Sequence, residues 1–166
     1  MKAGGQPLSA CAGYSRPEIQ AVRPKFEERK EALIAYIEHQ GPYDDIPWSE
    51  LMGELFVWAK EQKVIPGPFP IGIYLDDPQK VPRELRRSEI AITFRGPGGA
   101  SRGVKTKTMP AMKVATLSFK GPGRELGNAH QALAEFIQVQ GHRALGPLIE
   151  IYTKTPEIVD GRIIMY

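Results

Sequence analysis

Two stretches of the chain repeat their apolar residues every three or four positions, and several others repeat them every second. From Trp48 to about Lys63, the residues Trp48, Leu51, Met52, Leu55 and Ala59 keep helical spacing. From Arg124 to Gln140, Leu126, Ala129, Leu133, Phe136 and Ile137 do the same, with Gly141 placed to end the helix. Ahead of the first helix, Asp44 or Asp45 is a candidate cap and Pro47 suits the first turn. Strands are predicted at Ile71–Leu75, at Ser88–Phe94 with Ile90, Ile92 and Phe94 on one face, across Met109–Phe119, at Pro147–Thr153 and at Arg162–Tyr166. Glu18–Arg23 reads as a strand. Glu31–His39 fits a strand or a helical stripe equally. Lys25–Lys30 between them is a charged stretch, and Val64–Pro70 is a Pro/Gly loop. Arg95–Lys107 is Gly-rich, basic and without periodicity, and is read as a flexible, solvated connector.

The order strand, helix, strand, strand occurs twice. Gly41-Pro42 precedes the first helix and Gly121-Pro122 the second, 80 residues apart. Ile71-Gly72-Ile73-Tyr74 and Ile149-Glu150-Ile151-Tyr152 follow them, 78 apart, and Pro78 and Pro156 close those strands. So long a period is not that of a solenoid. The expectation is an α+β fold of duplicated strand-helix-strand-strand halves with pseudo-two-fold symmetry. It would have a mainly antiparallel sheet, two main helices on one face and a central groove. The disordered tail is placed at 1–16 and a single domain at 17–166, with halves 17–95 and 109–166 and a linker at 95–108.

Strand alternation assigns side chains to faces. Ile71, Ile73, Ile149 and Ile151 are expected under the helices. Gly72, Tyr74, Glu150 and Tyr152 are expected on the opposite, groove face, where the absent side chain at Gly72 leaves room for a guest.

Composition narrows the classes without choosing among them. With 166 residues, 42% hydrophobic and 25% charged, the chain excludes collagen-like, largely disordered and disulfide-framed proteins. No apolar run approaches the roughly 18 residues of a membrane span. The net charge of +3 is too small and too scattered to point to nucleic acid, and direct nucleic-acid binding is not expected. Cys11 is the single cysteine, so no internal disulfide forms and a cytoplasmic setting fits. Leu8-Ser9-Ala10-Cys11 looks like a lipoprotein cleavage box but lacks the preceding apolar stretch, and is read as part of the tail.

The residues Gly41-Pro42-Tyr43, Gly72-Ile73-Tyr74-Leu75-Asp76-Asp77-Pro78, Met109-Pro110-Ala111 leading to Gly121-Pro122, and Glu150-Ile151-Tyr152 stand in an order that resembles the GyrI-like small-molecule-binding family. This fold also forms the effector-binding domain of multidrug-sensing transcription activators. The likeness runs from Glu18 to Tyr166, and departs at Gly123, where the family often has Tyr. The resemblance implies a cleft for flat, hydrophobic, often cationic compounds. Its acidic residue matches Glu150, and Tyr152 and Tyr74 are its walls, with Gly72, Tyr43 and Trp48 as further candidates for ligand contact. A cation would partner a carboxylate that is costly to bury alone. Structural alternatives stand beside these: a salt bridge from Glu150 to Arg162, a turn-fixing role for Tyr43, and a core position for one of Trp48 and Trp58, which a helix cannot point the same way.

No cofactor or metal is expected. Asp76-Asp77-Pro78 is turn chemistry, and His39, His130 and His142 lack ligand spacing. Haem, suggested by the related SOUL proteins, finds no axial ligand. The leading expectation is a stand-alone binding module that senses or sequesters hydrophobic cations. With only the tail outside the repeat, no helix-turn-helix domain is expected. Some GyrI-like proteins open cyclopropane genotoxins by adding water; as such a hydrolase, the chain would use Glu150 as base and Tyr152 or Tyr74 as proton donor. A third reading is a protein-interaction module, its partner a transcription regulator or a topoisomerase.

Overall fold

The run Arg87–Arg95 is buried from Ser88 to Ile92 and again at Phe94, so it can only be a strand covered on both faces. It is the middle of the architecture. The computed structural model describes residues 23–154, 157–159 and 162–165. In chain order these form β1 (Lys25–Arg29), β2 (Ala32–Gln40), α1 (Trp48–Glu61), β3 (Ile65–Pro66), β4 (Ile71–Tyr74), β5 (Arg87–Arg95), β6 (Lys105–Met109), β7 (Met112–Thr116), β8 (Gly121–Pro122), α2 (Leu126–Val139), β9 (Leu148–Ile151), β10 (Glu157–Val159) and β11 (Arg162–Met165). The main sheet runs β6-β2-β5-β4-β9, with β3 added to β5. β1 pairs β7, and β10-β11-β8 form a third group. Every pairing among these strands is antiparallel. The fold is α+β with two main helices, as the pattern predicts.

Helix α1 buries Leu51, Leu55, Trp58 and Ala59, spaced at i, i+4, i+7 and i+8 along one stripe. They pack on Ala35 and Ile37 of β2 and on Ile90, Ile92 and Phe94 of β5. The opposite face carries a second cluster of Ile34, Ile71, Ile73 and Ala91, with Tyr36, Met109 and Ile149 against it.

This arrangement reverses the expected assignment of faces. Gly72 pairs with both Ile90 and Glu150, and directly paired residues share a face. Gly72, Tyr74 and Glu150 therefore lie on the α1 side, and Ile71 and Ile73 lie on the other. The physical reason is that α1 covers only the β2–β5 half of its face. The β4–β9 half remains for polar aromatic side chains beside the helix, while the isoleucines find their own cluster behind the sheet.

Besides the short β3, β8 and β10, two five-residue strands differ from the sequence reading. Lys25–Arg29 forms β1, although Phe26 is its only apolar residue; that ring packs on Phe136 and His142 at 4.9 Å each. Lys105–Met109, partly within the presumed connector, forms β6 at the sheet edge. Its lysines pair with Glu38 and Glu89, and lysine is a common means of blunting an edge. The rest of the connector is seated as well. Val104 is buried, Trp58 Nε1 donates to the Gly99 carbonyl at 3.0 Å, and a Cβ at Gly98 would come within 2.9 Å of the Trp58 ring. The glycine content that suggests a free loop in fact permits this close approach.

Helix ends follow partly legible rules. Gly141 (φ +75°) closes α2, with the His142 N–H donating to Ile137 O and the Gly141 N–H to Gln138 O, the paired bonds of a Schellman motif. Lys63 (φ +54°) closes α1 in the same way without a glycine to announce it. Neither Asp44 nor Asp45 caps α1. Pro47 holds the cap position with no side-chain bond, and Asp44 is instead paired with Arg83 at 2.8 Å. The proposed strand 18–23, all but its last residue, and the tail with Cys11 lie outside the described residues.

Candidate functional site

The antiparallel register of β4 and β9 sets Gly72 opposite Glu150, Ile71 opposite Ile151 and Tyr74 opposite Leu148. Alternation then brings Tyr74, Glu150 and Tyr152 to one side of this seam. The Tyr152 N–H continues the ladder, donating to Pro70 O at 3.0 Å. Trp48, in the first turn of α1, reaches over the same strip and meets the Tyr152 ring edge-on at 5.0 Å. Tyr43 meets Tyr74 edge-on at 4.9 Å.

Glu150 is the centre of the group, with its side chain only 13% exposed. The Tyr74 hydroxyl donates to Oε2 at 3.0 Å, and the Tyr152 hydroxyl also donates to Oε2. The two hydroxyls are 2.9 Å apart. His130 of α2 brings Nε2 to 2.8 Å from Oε1. That nitrogen is out of contact with solvent and makes no aligned hydrogen bond, so the contact is a charge contact available when the imidazole is protonated.

Burial pushes the Glu150 carboxyl up, but the His130 imidazole and the hydroxyls of Tyr152 and Tyr74 together outweigh it, and its pKa falls below the ordinary carboxylate value. Burial and the Glu150 charge push both tyrosine hydroxyls far upward, so they remain donors at every physiological pH. The sign of the stability effect follows. A depressed folded pKa contributes stability that is present above the unfolded carboxylate pKa of about 4.3 and is lost as pH falls through the folded value. Urea titrations between pH 6 and pH 3 should show wild type losing stability that a Glu150→Gln protein does not lose. Equal losses in both would mean that Glu150 gains nothing from its partners.

The six residues singled out from the sequence are brought together, but not all in the expected manner. Tyr74, Glu150 and Tyr152 form one hydrogen-bonded cluster. Trp48 stands at its edge, whereas Trp58 is core at 1% exposure. The space above Gly72 is not open: a Cβ there would lie 2.9 Å from the Tyr74 hydroxyl and 3.1 Å from the Trp48 ring. The glycine makes room for these side chains. The Tyr43 hydroxyl is engaged with backbone, accepting from the Asp76 N–H at 3.0 Å and lying within 3.0 Å of the carbonyls of Asp76 and Arg87. Asp76 and Asp77 form the expected turn, Asp76 binding Arg87 and Asp77 the Gln79 N–H. The Arg162 side chain lies outside the described residues.

His130 was not anticipated as a site residue. A signal existed: it lies four residues after Leu126 and three before Leu133, on the apolar stripe of α2, where a polar ring needs a partner. A separate open groove of about 670 Å³ lies at the other end of β5, lined by Leu33, Ile65, Pro66, Thr93 and Arg95 among others. It does not include the carboxylate cluster. Among the described residues no helix is long and apolar enough to cross a membrane, and no three His, Cys, Asp or Glu side chains are grouped to hold a metal ion.

The fold is shared with several solved structures of low sequence identity. The crystal structure of the EcmrR C-terminal domain superposes with a TM-score of 0.69 at 15% identity, covering 88% of this chain and 92% of that one. The EcmrR–DNA complex gives 0.70 at 14%, covering 86% of this chain and 54% of the other, so the present chain spans about half of that longer protein. A structure from Listeria innocua described as a hydrolase gives 0.56 at 13%, covering 86% and 89%. At such identities the likeness is one of fold. No curated protein matches by sequence. The chain belongs to the GyrI-like small-molecule-binding domain family, whose profile matches residues 23–161.

Proposed function

We propose that the Tyr74–Glu150–Tyr152 cluster is the floor of a site for flat, hydrophobic, cationic small molecules, and that the chain acts in the cytoplasm as a module that senses or sequesters them. The observation that carries this reading is a mostly buried carboxylate, held ionised, with three aromatic rings around it. Among the described residues its charge is matched by a loosely aligned imidazole alone. A guest cation supplies a better partner, and faces of Trp48 and Tyr152 supply cation–π contacts of about 0.5–2 kcal/mol each. Recognition by charge and flatness suits a site that takes many compounds. Family membership agrees with small-molecule binding; the protein partner in this reading is a transcription regulator, with a topoisomerase as the alternative.

The hydrolase reading has less support. Its specific attraction is a carboxylate beside two phenols, and fold relatives described as hydrolases. A general base works best with a pKa near the operating pH, whereas Glu150 is shifted downward. Both hydroxyl bonds fall on Oε2, and the His130 ring stands at Oε1 where a water would have to be held.

The test is a thermal-shift comparison between ethidium, a permanent planar cation, and an uncharged ring system of the same size. At 100 times its dissociation constant a ligand adds about 2.7 kcal/mol of stability, a readily measured rise in Tm. Stabilisation by the cation alone is the expected result. Equal shifts from both compounds, or none from either, would overturn the assignment.

A further inference from the structure

The carboxylate that a guest cation needs is already approached by an imidazole, a side chain able to carry a positive charge. His130 comes from α2, while Glu150 lies on β9 and Tyr74 on β4, so three separate elements converge on one charge. The imidazole takes Oε1 and the two phenols take Oε2. This division leaves Oε1 as the oxygen that a guest can win without breaking the tyrosine cluster. The His130 contact is short but not aligned as a hydrogen bond, and a misaligned contact yields more readily than an aligned one.

Among the described residues, His130 is the imidazole that faces this carboxylate. Tyr74 and Tyr152, from β4 and the segment after β9, stay protonated, and Tyr43 behind Tyr74 is raised by burial. Glu150 stays ionised well below neutral pH. From β7, packed against α2, Lys113 lies over the Phe26 ring. In the turn before α2, Arg124 faces Glu125, and Glu125 also accepts from Asn128. Imidazole is the side chain whose charge ordinarily changes between about pH 5 and 8.

We propose that His130 is a built-in competitor for Glu150: the protonated ring occupies the carboxylate, and a cationic guest binds by taking its place, with release of the proton to solvent. The inference rests on the reading of the cluster as a cation site. It makes the site selective in a particular way. A simple cation offers Glu150 little more than His130 already does, so only a cation that also stacks on Trp48 and Tyr152 prevails. It also links occupancy to pH, since acid fills the site from within.

Calorimetric titration of ethidium at pH 5.5, 6.5, 7.5 and 8.5, each in two buffers of different ionisation enthalpy, tests this. Wild-type affinity should rise by up to about tenfold per pH unit on the acid side and level off on the alkaline side. The buffer difference should show up to one proton released at the acid end. His130→Gln should flatten the profile and bind more tightly than wild type at pH 5.5. A slope unchanged in His130→Gln, or affinity lowered by the same factor at every pH, would overturn the competitor role. So would the absence of proton release from wild type, which requires no variant to fold. If wild type binds ethidium but Glu150→Gln binds it equally, or if wild type does not bind at all, the cation site itself falls, a result distinct from a lost slope.

Discussion

Glu150→Gln should weaken the binding of a planar cation about 30-fold or more while leaving an uncharged ring system of the same shape nearly unaffected. The amide has the carboxylate's size and still accepts from Tyr74 and Tyr152 at Oε1 or rotates to donate to them, so the cluster keeps its shape. What disappears is the net charge. Removing one partner of a buried, hydrogen-bonded charge pair costs about 2–5 kcal/mol, and 2 kcal/mol is about 30-fold in a dissociation constant. The side chain's low exposure places it in this class rather than with exposed ion pairs of at most about 1 kcal/mol. Fluorescence titration of both compounds against both proteins supplies the four constants. A parallel loss for the two compounds would indicate a distorted pocket, and the absence of any loss would remove Glu150 from the site.

Trp58→Ala should be the most damaging single truncation for stability, by about 3–5 kcal/mol. The ring is 1% exposed, meets Phe94 edge-on at 5.1 Å and anchors Gly99 by its indole N–H. Its removal leaves a cavity between α1 and β5 and unseats the 95–104 loop, whose Gly98 is fitted to the ring. Domains of this kind have a total stability of about 5–15 kcal/mol, so the loss approaches the whole in a weak case. Urea unfolding monitored by circular dichroism reads the change in midpoint. Trp58→Phe, which retains most of the packing and loses the hydrogen bond, should cost less than half as much. A loss below about 1 kcal/mol for the alanine variant would contradict the ring's place in the core.

The helices were legible because their apolar stripes are long enough to distinguish period 3.6 from period 2. The central strand β5 was legible for the opposite reason: Ile90, Ile92 and Phe94 alternate on one face, though the cover on its other face shows only in the structure. β1 and β6 were not, since an edge strand presents charge where an inner strand presents apolar groups, and Lys105 and Lys107 erase the alternation that Thr106 and Thr108 accompany. The candidate site was half legible. Alternation in two matching segments placed Tyr74, Glu150 and Tyr152 together without any coordinates. It could not say on which side of the sheet they lie, because the period fixes relative faces and leaves the absolute one to packing. That is why the isoleucines were assigned to the wrong side, and why the space over Gly72 was credited to a guest rather than to Trp48. His130 required knowledge of how α2 leans toward β9, a tertiary fact with only a faint local sign.

The β4–β9 seam has a consequence for how the gene can change. Residues 143–147, just before β9, are all exposed, and lengthening such a connection is cheap, roughly 0.6 kcal/mol for each doubling. An added codon there leaves the register Gly72–Glu150 untouched. The same codon inside Leu148–Ile151 shifts the pairing by one, and a shift of one turns each following side chain to the reverse face. Glu150 would then be carried to the isoleucine cluster and an isoleucine to the tyrosines. Two insertions a few bases apart would thus differ completely in effect: the first alters only a loop, and the second exchanges the tyrosine–carboxylate cluster with the hydrophobic interior.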